Sequence, residues 1–250
     1  EFGSGAHASR VTVMSGSATH LAGLALRKRA LETAATLLQA PREVLRIEQG
    51  VVRRSDLPDG PTLPIGEVAR ALAPGMPLAR GQATPGLTTE SWFHSDHMAY
   101  PYGVHLAQVA LDRGTGKVSV EHYVVAYDVG RAVNPMMVEG QIAGGFAQGL
   151  GGALYEEFRY DERGQPLCTT LADYLIPTIA EMPPLDILVT EDAPSPLNPL
   201  GVKGAGEGGT NAVGAAIASA VDDALGGRGL VPRLPITPRE VPRMLGEIEA

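Results

Sequence analysis

The segment Gly201–Asn211, with the sequence GVKGAGEGGTN, places five glycines around a single acid, Glu207. Glycine adopts backbone angles that other residues avoid, and its bare N–H groups leave room for a flat or anionic ligand. Three prolines lie within residues 194–199, so the chain cannot enter this segment from a central β-strand. The small apolar residues that follow predict a buried helix to about Leu225. We therefore expect Glu207 at the start of that helix, buried or nearly so.

Glu207 has two interpretations at this point. An acid at the N-terminus of a helix offsets the macrodipole and stabilises the helix by up to about 1 kcal/mol. A carboxylate among glycines also fits a functional group to which a ligand has open access. The residues from Gly204 to Gly209 match the pattern G-x-G-x-x-G of dinucleotide-binding folds. That motif directly follows a strand, which the proline-rich approach excludes, so we reject the match.

A second glycine-rich stretch, Val138–Tyr155, carries six glycines within an otherwise helical pattern. Each glycine costs a helix about 1 kcal/mol relative to alanine, so their number needs a physical reason. One reason is close packing against neighbouring elements. The other is space for a large cofactor, with Gln141 and Gln148 as amide donors and acceptors. The sequence leaves both open.

The remaining patterns predict an α+β fold of mixed helices and short antiparallel sheets. The apolar spacing after Ser17 predicts a long helix that stops at Pro41, with Ser15 or Ser17 as its N-cap. The other predicted elements are two strands within 45–54, a helix at 64–72, a hairpin of 103–112 with 117–127, a hairpin at 158–167, a strand at 185–190 and a closing helix capped by Thr237 with Pro238 first. We divide the chain into residues 1–102 and 103–250.

Composition excludes several classes of function. A formal net charge of −8 without a basic stripe argues against nucleic-acid binding. The single cysteine, Cys168, excludes an internal disulfide framework and any four-cysteine zinc or iron–sulfur site. His94 and His97 lack the further ligands that zinc requires. The sequence contains no apolar run of about 18 residues and no secretion leader, so we expect a cytoplasmic protein without a membrane span.

Three motifs resemble, in family order, the molybdopterin-binding subunit of the xanthine dehydrogenase, aldehyde oxidase and carbon monoxide dehydrogenase family. Residues 196–210 resemble its C-terminal signature. Residues 127–135 and 139–151 resemble its Asn-Pro turn and the glycine-rich helix with a cofactor-contacting glutamine. Residues 5–12 resemble its cofactor-cradling segment. The resemblance covers essentially the whole chain and implies a loop-rich cofactor-binding domain of the molybdenum hydroxylase type.

The resemblance also implies roles for particular residues. Glu207 matches the family's active-site general base, beside molybdenum, and Gln141 would hydrogen-bond the pterin. Gly206 would present its N–H beside Glu207. Lys203 remains open between a cofactor contact and a solvated loop lysine. The cofactor-binding residues that the motifs imply are Ala8, Ser9, Arg10, Thr12, Gln141, Lys203, Gly204 and Gly206. None would be a side-chain ligand of the metal, whose sulfur ligands come from the cofactor.

For the whole protein, the resemblance implies an oxidoreductase that hydroxylates an aldehyde or N-heteroaromatic carbon with oxygen derived from water. The cofactor would be molybdenum-molybdopterin, with the cytosine dinucleotide form as one option. The family's subunit is much longer, so the expected partners are its N-terminal half, an iron–sulfur subunit and an FAD subunit. This chain would then be a split subunit, a proteolytic piece or an expressed domain. The alternative is a non-catalytic assembly or scaffold subunit of such a complex.

Overall fold

The computed structural model describes residues 5–81 and 84–246, so the outer ends of both predicted domains lie outside the described residues. The chain forms two compact units. The smaller comprises Met14–Asp96, and the larger comprises the residues up to Val13 together with the chain from His97 onward. This arrangement differs from the predicted division at residue 102, because the N-terminal segment packs against Gly204 and Gly206 of the larger unit.

The smaller unit packs one long helix and one short helix against a small sheet. Its elements are α1 (Ser17–Leu38), β1 (Leu45–Glu48), β2 (Val51–Arg54), β3 (Leu63–Pro64) and α2 (Ile65–Ala71), and the three strands pair antiparallel in sequence order. Helix α1 ends before Pro41, as the sequence predicts, and the turn between β1 and β2 uses left-handed Gln49 and Gly50. Apolar side chains from α1, β1, β2 and α2 form one buried cluster.

The start of α1 differs from the predicted cap. A π-helical turn, Thr12–Gly16, runs directly into α1, and the N-cap is Gly16, which makes no side-chain hydrogen bond. The prediction of Ser15 or Ser17 as the cap is therefore wrong. Ser17 is the first helical residue, and its buried hydroxyl has no hydrogen-bond partner within the described ranges.

The larger unit is built on a three-stranded sheet of β4 (Tyr102–Asp112), β5 (Lys117–Asp128) and β6 (Leu185–Thr190). Strands β4 and β5 form the predicted antiparallel hairpin. Strand β6 pairs parallel to β5, so the expectation of antiparallel sheets is wrong for this strand. The helix α3 (Pro135–Leu154) lies between β5 and β6 in the chain, and such a crossover is what parallel neighbours require. The α+β class itself is confirmed.

Two further helices complete this unit, α4 (Val213–Leu225) and α5 (Glu240–Met244). Helix α4 begins six residues after Glu207, so the expectation that Glu207 opens the helix is wrong. The residues between them form turns because the glycines pack against the ring of Tyr127 and the backbone of α3. Helix α4 buries one face rather than its whole surface, through Val213, Ile217 and Val221.

The core of the larger unit lies between one face of the sheet and the helices α3 and α4. Tyr123 and Val125 of β5 are fully buried, and Tyr123 stacks on Phe146 of α3 with ring centroids 4.3 Å apart. The other face of the sheet is open. Its apolar side chains Val104 and Leu106 are each 60% exposed.

Two smaller predictions need correction. Residues 158–167 form a single antiparallel bridge, Tyr160 to Pro166, rather than a hairpin. The closing helix exists but begins at Glu240, after the predicted Pro238. Among the helices of the described residues, none combines the length and the apolar character needed to cross a membrane.

Candidate functional site

Ser9 is hydrogen-bonded to Glu207, although 198 residues separate the two in the chain. The Ser9 hydroxyl donates to Oε2 of Glu207 at 2.8 Å and accepts from the backbone N–H of Glu207 at 2.9 Å. Ala8 and Ser9 both adopt left-handed backbone angles, with φ of 50° and 53°. This conformation costs about 1–2 kcal/mol per non-glycine residue, and such strain clusters at functional sites. The N-terminal segment is therefore shaped to meet Glu207.

Gly204 and Gly206 are required by this close approach. A Cβ atom on Gly204 would lie 3.0 Å from Cβ of Ser9, and one on Gly206 would lie 3.2 Å from Oγ of Ser9. Both distances are tighter than ordinary van der Waals contact. The glycines therefore let the segment before Glu207 stack directly on the segment around Ser9.

A cavity of about 340 Å3 opens beside this pair. Glu207 is exposed to it, contrary to the expectation of a buried acid. The glycines around Glu207 carry no side chains that could cover the carboxylate. The other lining side chains that matter for its chemistry are those of Ser9, Tyr102, His105 and Tyr127.

Tyr127 forms one wall of the cavity and is largely buried. A Cβ on Gly208 would overlap its ring, so the chain directly after Glu207 packs flat against it. Burial raises the pKa of Tyr127, and the negative charge of Glu207 raises it further. The phenol therefore keeps its proton at neutral pH.

Gln141 on α3 lies at the same site. Its Nε2 atom is 3.7 Å from the position of a Cβ on Gly206. The side chain is exposed, as is that of Gln148 two turns further along the same helix face. Among the residues that the structure describes, the amide makes no hydrogen bond, so it can bond a ligand next to the Glu207 segment.

The glycines of α3 fall into two groups. A Cβ atom on Gly145 would lie 3.0 Å from the backbone of Gly209, and one on Gly149 would meet the side chain of Val213. These glycines allow close packing. Gly144, on the face of Gln141 and Gln148, has no atom within 4 Å of its Cβ position, so that face of the helix is open.

Lys203 is neither solvated nor directed at the cavity. Its side chain is 7% exposed, and its Nζ donates to Oδ1 of Asp128 at 2.9 Å. The same ammonium lies 4.4 Å from the centre of the Tyr102 ring, within the range of a cation–π contact. The interpretation of Lys203 as a solvated loop lysine is therefore wrong.

Asp128, at the end of β5, joins three segments. Its Oδ1 also accepts from the N–H of Gly130, and its Oδ2 accepts from the hydroxyl of Thr190 and the N–H of Ala193. Burial alone would raise the pKa of Asp128. The hydrogen bonds from Lys203 and the backbone outweigh burial, and the pKa lies below its ordinary value. Asp128 is therefore an ionised structural anchor.

Sequence reasoning missed His105 as well as Asp128. His105 lies on β4, and its ring bridges the hydroxyl of Tyr123 and the carbonyl of Gly208. A polar residue within the apolar β4 pattern was the available signal. The signal is weak, because a histidine in a strand is common without any function.

The remaining predicted site residues lie in the N-terminal segment. Ala8 lines the cavity. Arg10 is half-buried, and its backbone N–H bonds the carbonyl of His7 at 3.2 Å. Thr12 is exposed and begins the π-helical turn. Within the described part of the chain, no cluster of three or more histidine, cysteine or acidic side chains could hold a metal ion directly.

Comparison with known proteins shows where this site belongs. The sequence profile of the molybdopterin cofactor-binding domain matches residues 1–183. The gamma subunit of the 6-hydroxypseudooxynicotine dehydrogenase complex of Paenarthrobacter nicotinovorans is 42% identical over 239 residues, which are 96% of this chain and 30% of that subunit.

Solved structures agree. Quinoline 2-oxidoreductase from Pseudomonas putida 86 superposes with a TM-score of 0.81 at 36% identity, over 99% of this chain and 31% of that one. Carbon monoxide dehydrogenase from Oligotropha carboxidovorans superposes with a TM-score of 0.83 at 28% identity, over 99% and 30%. The chain thus spans about 30% of the length of the relatives it matches. It belongs to the molybdopterin cofactor-binding domain family and corresponds to a part of the molybdenum-binding subunit of the molybdenum hydroxylase oxidoreductases.

Proposed function

We propose that this chain supplies the general base of a molybdenum hydroxylase and that Glu207 is that base. The observation that carries the proposal is the state of its carboxylate, which is exposed in the cavity and is held by Ser9 on one oxygen. A general base needs a free oxygen within reach of the proton that it takes. Oε1 of Glu207 makes no hydrogen bond within the described residues and so meets this need.

The residues around Glu207 fit a molybdopterin. Ser9 and Gln141 offer a hydroxyl and an amide, and Gly204 and Gly206 leave bare backbone where a side chain would crowd Ser9. Such donors suit a heterocyclic organic cofactor that brings its own metal ligands. We assign Ala8, Arg10 and Thr12 to the same cradle from their place in the segment of Ser9. Lys203 contributes by holding the segment through Asp128.

When bound, the molybdenum cofactor supplies the two-electron redox chemistry by which oxygen from water reaches the substrate carbon. The chain's own residues would bind and orient the cofactor and move a proton. Oε1 of Glu207 would accept the proton from the water-derived oxygen. Ser9 keeps the carboxylate directed into the cavity. Tyr127, protonated at neutral pH, closes the wall behind it.

We propose an aldehyde or an N-heteroaromatic ring as the substrate class. The similarity to quinoline 2-oxidoreductase supports the ring. The cavity's tyrosines, Tyr102 and Tyr127, also suit a flat aromatic ligand, because aromatic rings attract one another in stacked or edge-on contacts.

We also propose partners. The open face of the sheet, with Val104, Leu106 and Leu188 each more than half exposed, fits burial against the remainder of a molybdenum subunit. The relatives are named as subunits or chains of larger complexes, which supports separate iron–sulfur and FAD subunits that carry the two electrons away. The cofactor that we propose is molybdenum-molybdopterin, with the cytosine dinucleotide form as one option.

The substitution Glu207→Gln in the complete complex tests the base. It keeps the volume and one hydrogen-bonding oxygen but removes the proton acceptor, so we expect kcat to fall by about 10²–10⁴-fold. Molybdenum and pterin content should stay at the wild-type level. The matched control is Glu48→Gln, an exposed acid on β1 of the smaller unit, which should leave turnover unchanged. Full turnover in the Glu207→Gln complex would instead favour the scaffold alternative.

A further inference from the structure

His105 makes two hydrogen bonds through its two ring nitrogens. Nε2 lies 3.1 Å from the carbonyl oxygen of Gly208, and Nδ1 lies 3.0 Å from the hydroxyl of Tyr123. The ring also packs edge-on against Tyr123, with centroids 5.7 Å apart. His105 therefore links the strand β4 to the residue that directly follows Glu207.

The partners of His105 define its tautomer. A carbonyl oxygen only accepts, so Nε2 must carry the proton and donate to Gly208. Nδ1 is then the acceptor for the hydroxyl of Tyr123. Burial lowers the pKa of His105 and raises that of Tyr123, so the neutral ring and the protonated phenol are the forms present at neutral pH.

Turn hydrogen bonds and the packing of Gly208 against Tyr127 hold this backbone, but among the described residues only Ser9 and His105 bond it through a side chain. Glycines stand before Glu207 and at both positions after it, and glycine has more conformational freedom than any other residue. Ser9 binds the N–H of Glu207 on one side of this short segment, and His105 binds the carbonyl of Gly208 on the other. The two side chains therefore clamp the Glu207–Gly208 unit from both ends.

We propose that His105 is a positioning residue that fixes the Glu207–Gly208 backbone and thereby the direction of the Glu207 carboxylate in the cavity. The catalytic meaning of this role rests on the proposed function of Glu207. The positioning itself depends only on the two hydrogen bonds of the imidazole. The carbonyl of Gly208 sets the tautomer of His105, and Tyr123, whose ring packs against Phe146, ties the imidazole to the core.

The test compares His105→Leu with His105→Gln in the complete complex. Leucine removes the donor, whereas the glutamine amide reaches the carbonyl of Gly208 from nearly the position of Nε2. The first measurement is hydrogen–deuterium exchange in peptides covering residues 204–211. We expect exchange about tenfold faster in His105→Leu, as for the loss of one hydrogen bond, and near wild type in His105→Gln.

Steady-state kinetics and cofactor content give the second and third measurements. We expect kcat to fall at least tenfold in His105→Leu with KM within about twofold, and most of kcat to return in His105→Gln. The matched control is His122→Leu, on the neighbouring strand, whose ring bonds Asp186 and does not line the cavity. It should change neither exchange at residues 204–211 nor kcat.

Unchanged exchange in His105→Leu, or a glutamine variant as defective as leucine, would overturn the proposal. If the leucine variant does not fold, exchange and kcat of the glutamine variant still test the proposal. Faster exchange at residues 204–211 in His105→Gln would contradict it, because the glutamine amide keeps the donor to Gly208. Retained turnover in Glu207→Gln combined with faster exchange in His105→Leu would leave the positioning intact and reject Glu207 as the base.

Discussion

Asp128 and Glu207 are carboxylates of the same unit, and the segment Gly201–Asn211 contacts the first and contains the second. Asp128 is 4% exposed, and its two oxygens accept four hydrogen bonds, one of them from Lys203. Glu207 is exposed and accepts one side-chain hydrogen bond, from Ser9, among the residues that the structure describes.

The difference separates a structural acid from a functional one. The oxygens of Asp128 have no capacity left for a ligand, and its charge is neutralised in a place that water does not reach. The carboxylate of Glu207 keeps one oxygen free at the edge of a cavity. Burial and the number of satisfied oxygens thus distinguish the two roles more clearly than the residue type does.

Removal of the buried charge should have the largest effect on stability. In Asp128→Asn the ammonium of Lys203 stays buried without its counter-charge, and breaking such a pair costs about 3–5 kcal/mol. We expect a matching loss in the free energy of unfolding, measured by denaturant titration. The control Asp186→Asn, whose carboxylate is exposed, should cost less than about 1 kcal/mol.

The double variant Asp128→Asn with Lys203→Met sharpens this test, because it removes both charges and should recover much of the loss. The pH dependence follows from the lowered pKa of Asp128. The stabilisation is present above the ordinary pKa of about 3.9 and is lost as the pH falls through the lowered value. The stability difference between wild type and Asp128→Asn should therefore shrink below about pH 4. A constant difference would contradict the ionised anchor.

Gly208→Ala should have an effect of intermediate size, on both stability and turnover. The new Cβ overlaps the ring of Tyr127, so the chain after Glu207 must move, at about 1–3 kcal/mol. Thermal denaturation should show the loss, and turnover should fall with it because Glu207 shifts. Gly152→Ala is the matched control, since its Cβ meets no atom within 4 Å and alanine favours the helix. Equal melting temperatures for the two variants would show that the close packing at Gly208 is unimportant.

Ser9→Ala should give the smallest change in stability, about 1 kcal/mol, because the site is open to water and the lost hydrogen bonds are replaced by water. Its main result should be a modest decrease in kcat at constant cofactor content, since the carboxylate of Glu207 loses the hydrogen bond that orients it. Ser17→Ala provides the comparison, because that buried hydroxyl has no partner among the described residues and its removal should not destabilise. A larger loss of stability from Ser17→Ala than from Ser9→Ala would reverse this assignment.

Local sequence signals predicted the elements whose causes are local. Pro41 stops α1, β1 and β2 lie within the predicted range 45–54, and alternation predicted the hairpin of β4 and β5. The bridge from Tyr160 to Pro166 shows the limit of such signals, because apolar residues on both sides of a turn do not by themselves extend the pairing into strands.

Interactions between distant residues escaped prediction. Lys203 meets Asp128 across 75 residues, and His105 meets Gly208 across 103. The identity of residue 203 as a lysine does not show whether it is solvated or buried. Its role depends on which acid the fold brings beside it. The parallel pairing of β6 is of the same kind, since it follows from the path of α3 rather than from the residues of the strand.

By itself, the sequence determined the family, the order and most bounds of the elements, and the motif that contains Glu207. Glycine, proline and apolar spacing act over a few residues, and the conformations that they favour can be inferred without a fold. Only the tertiary structure decided that Glu207 is exposed beside Ser9, that Lys203 is buried on Asp128, and that His105 holds the backbone of Gly208. Burial and hydrogen-bond partners are properties of the packed chain, because they depend on which distant segments exclude water from the same place.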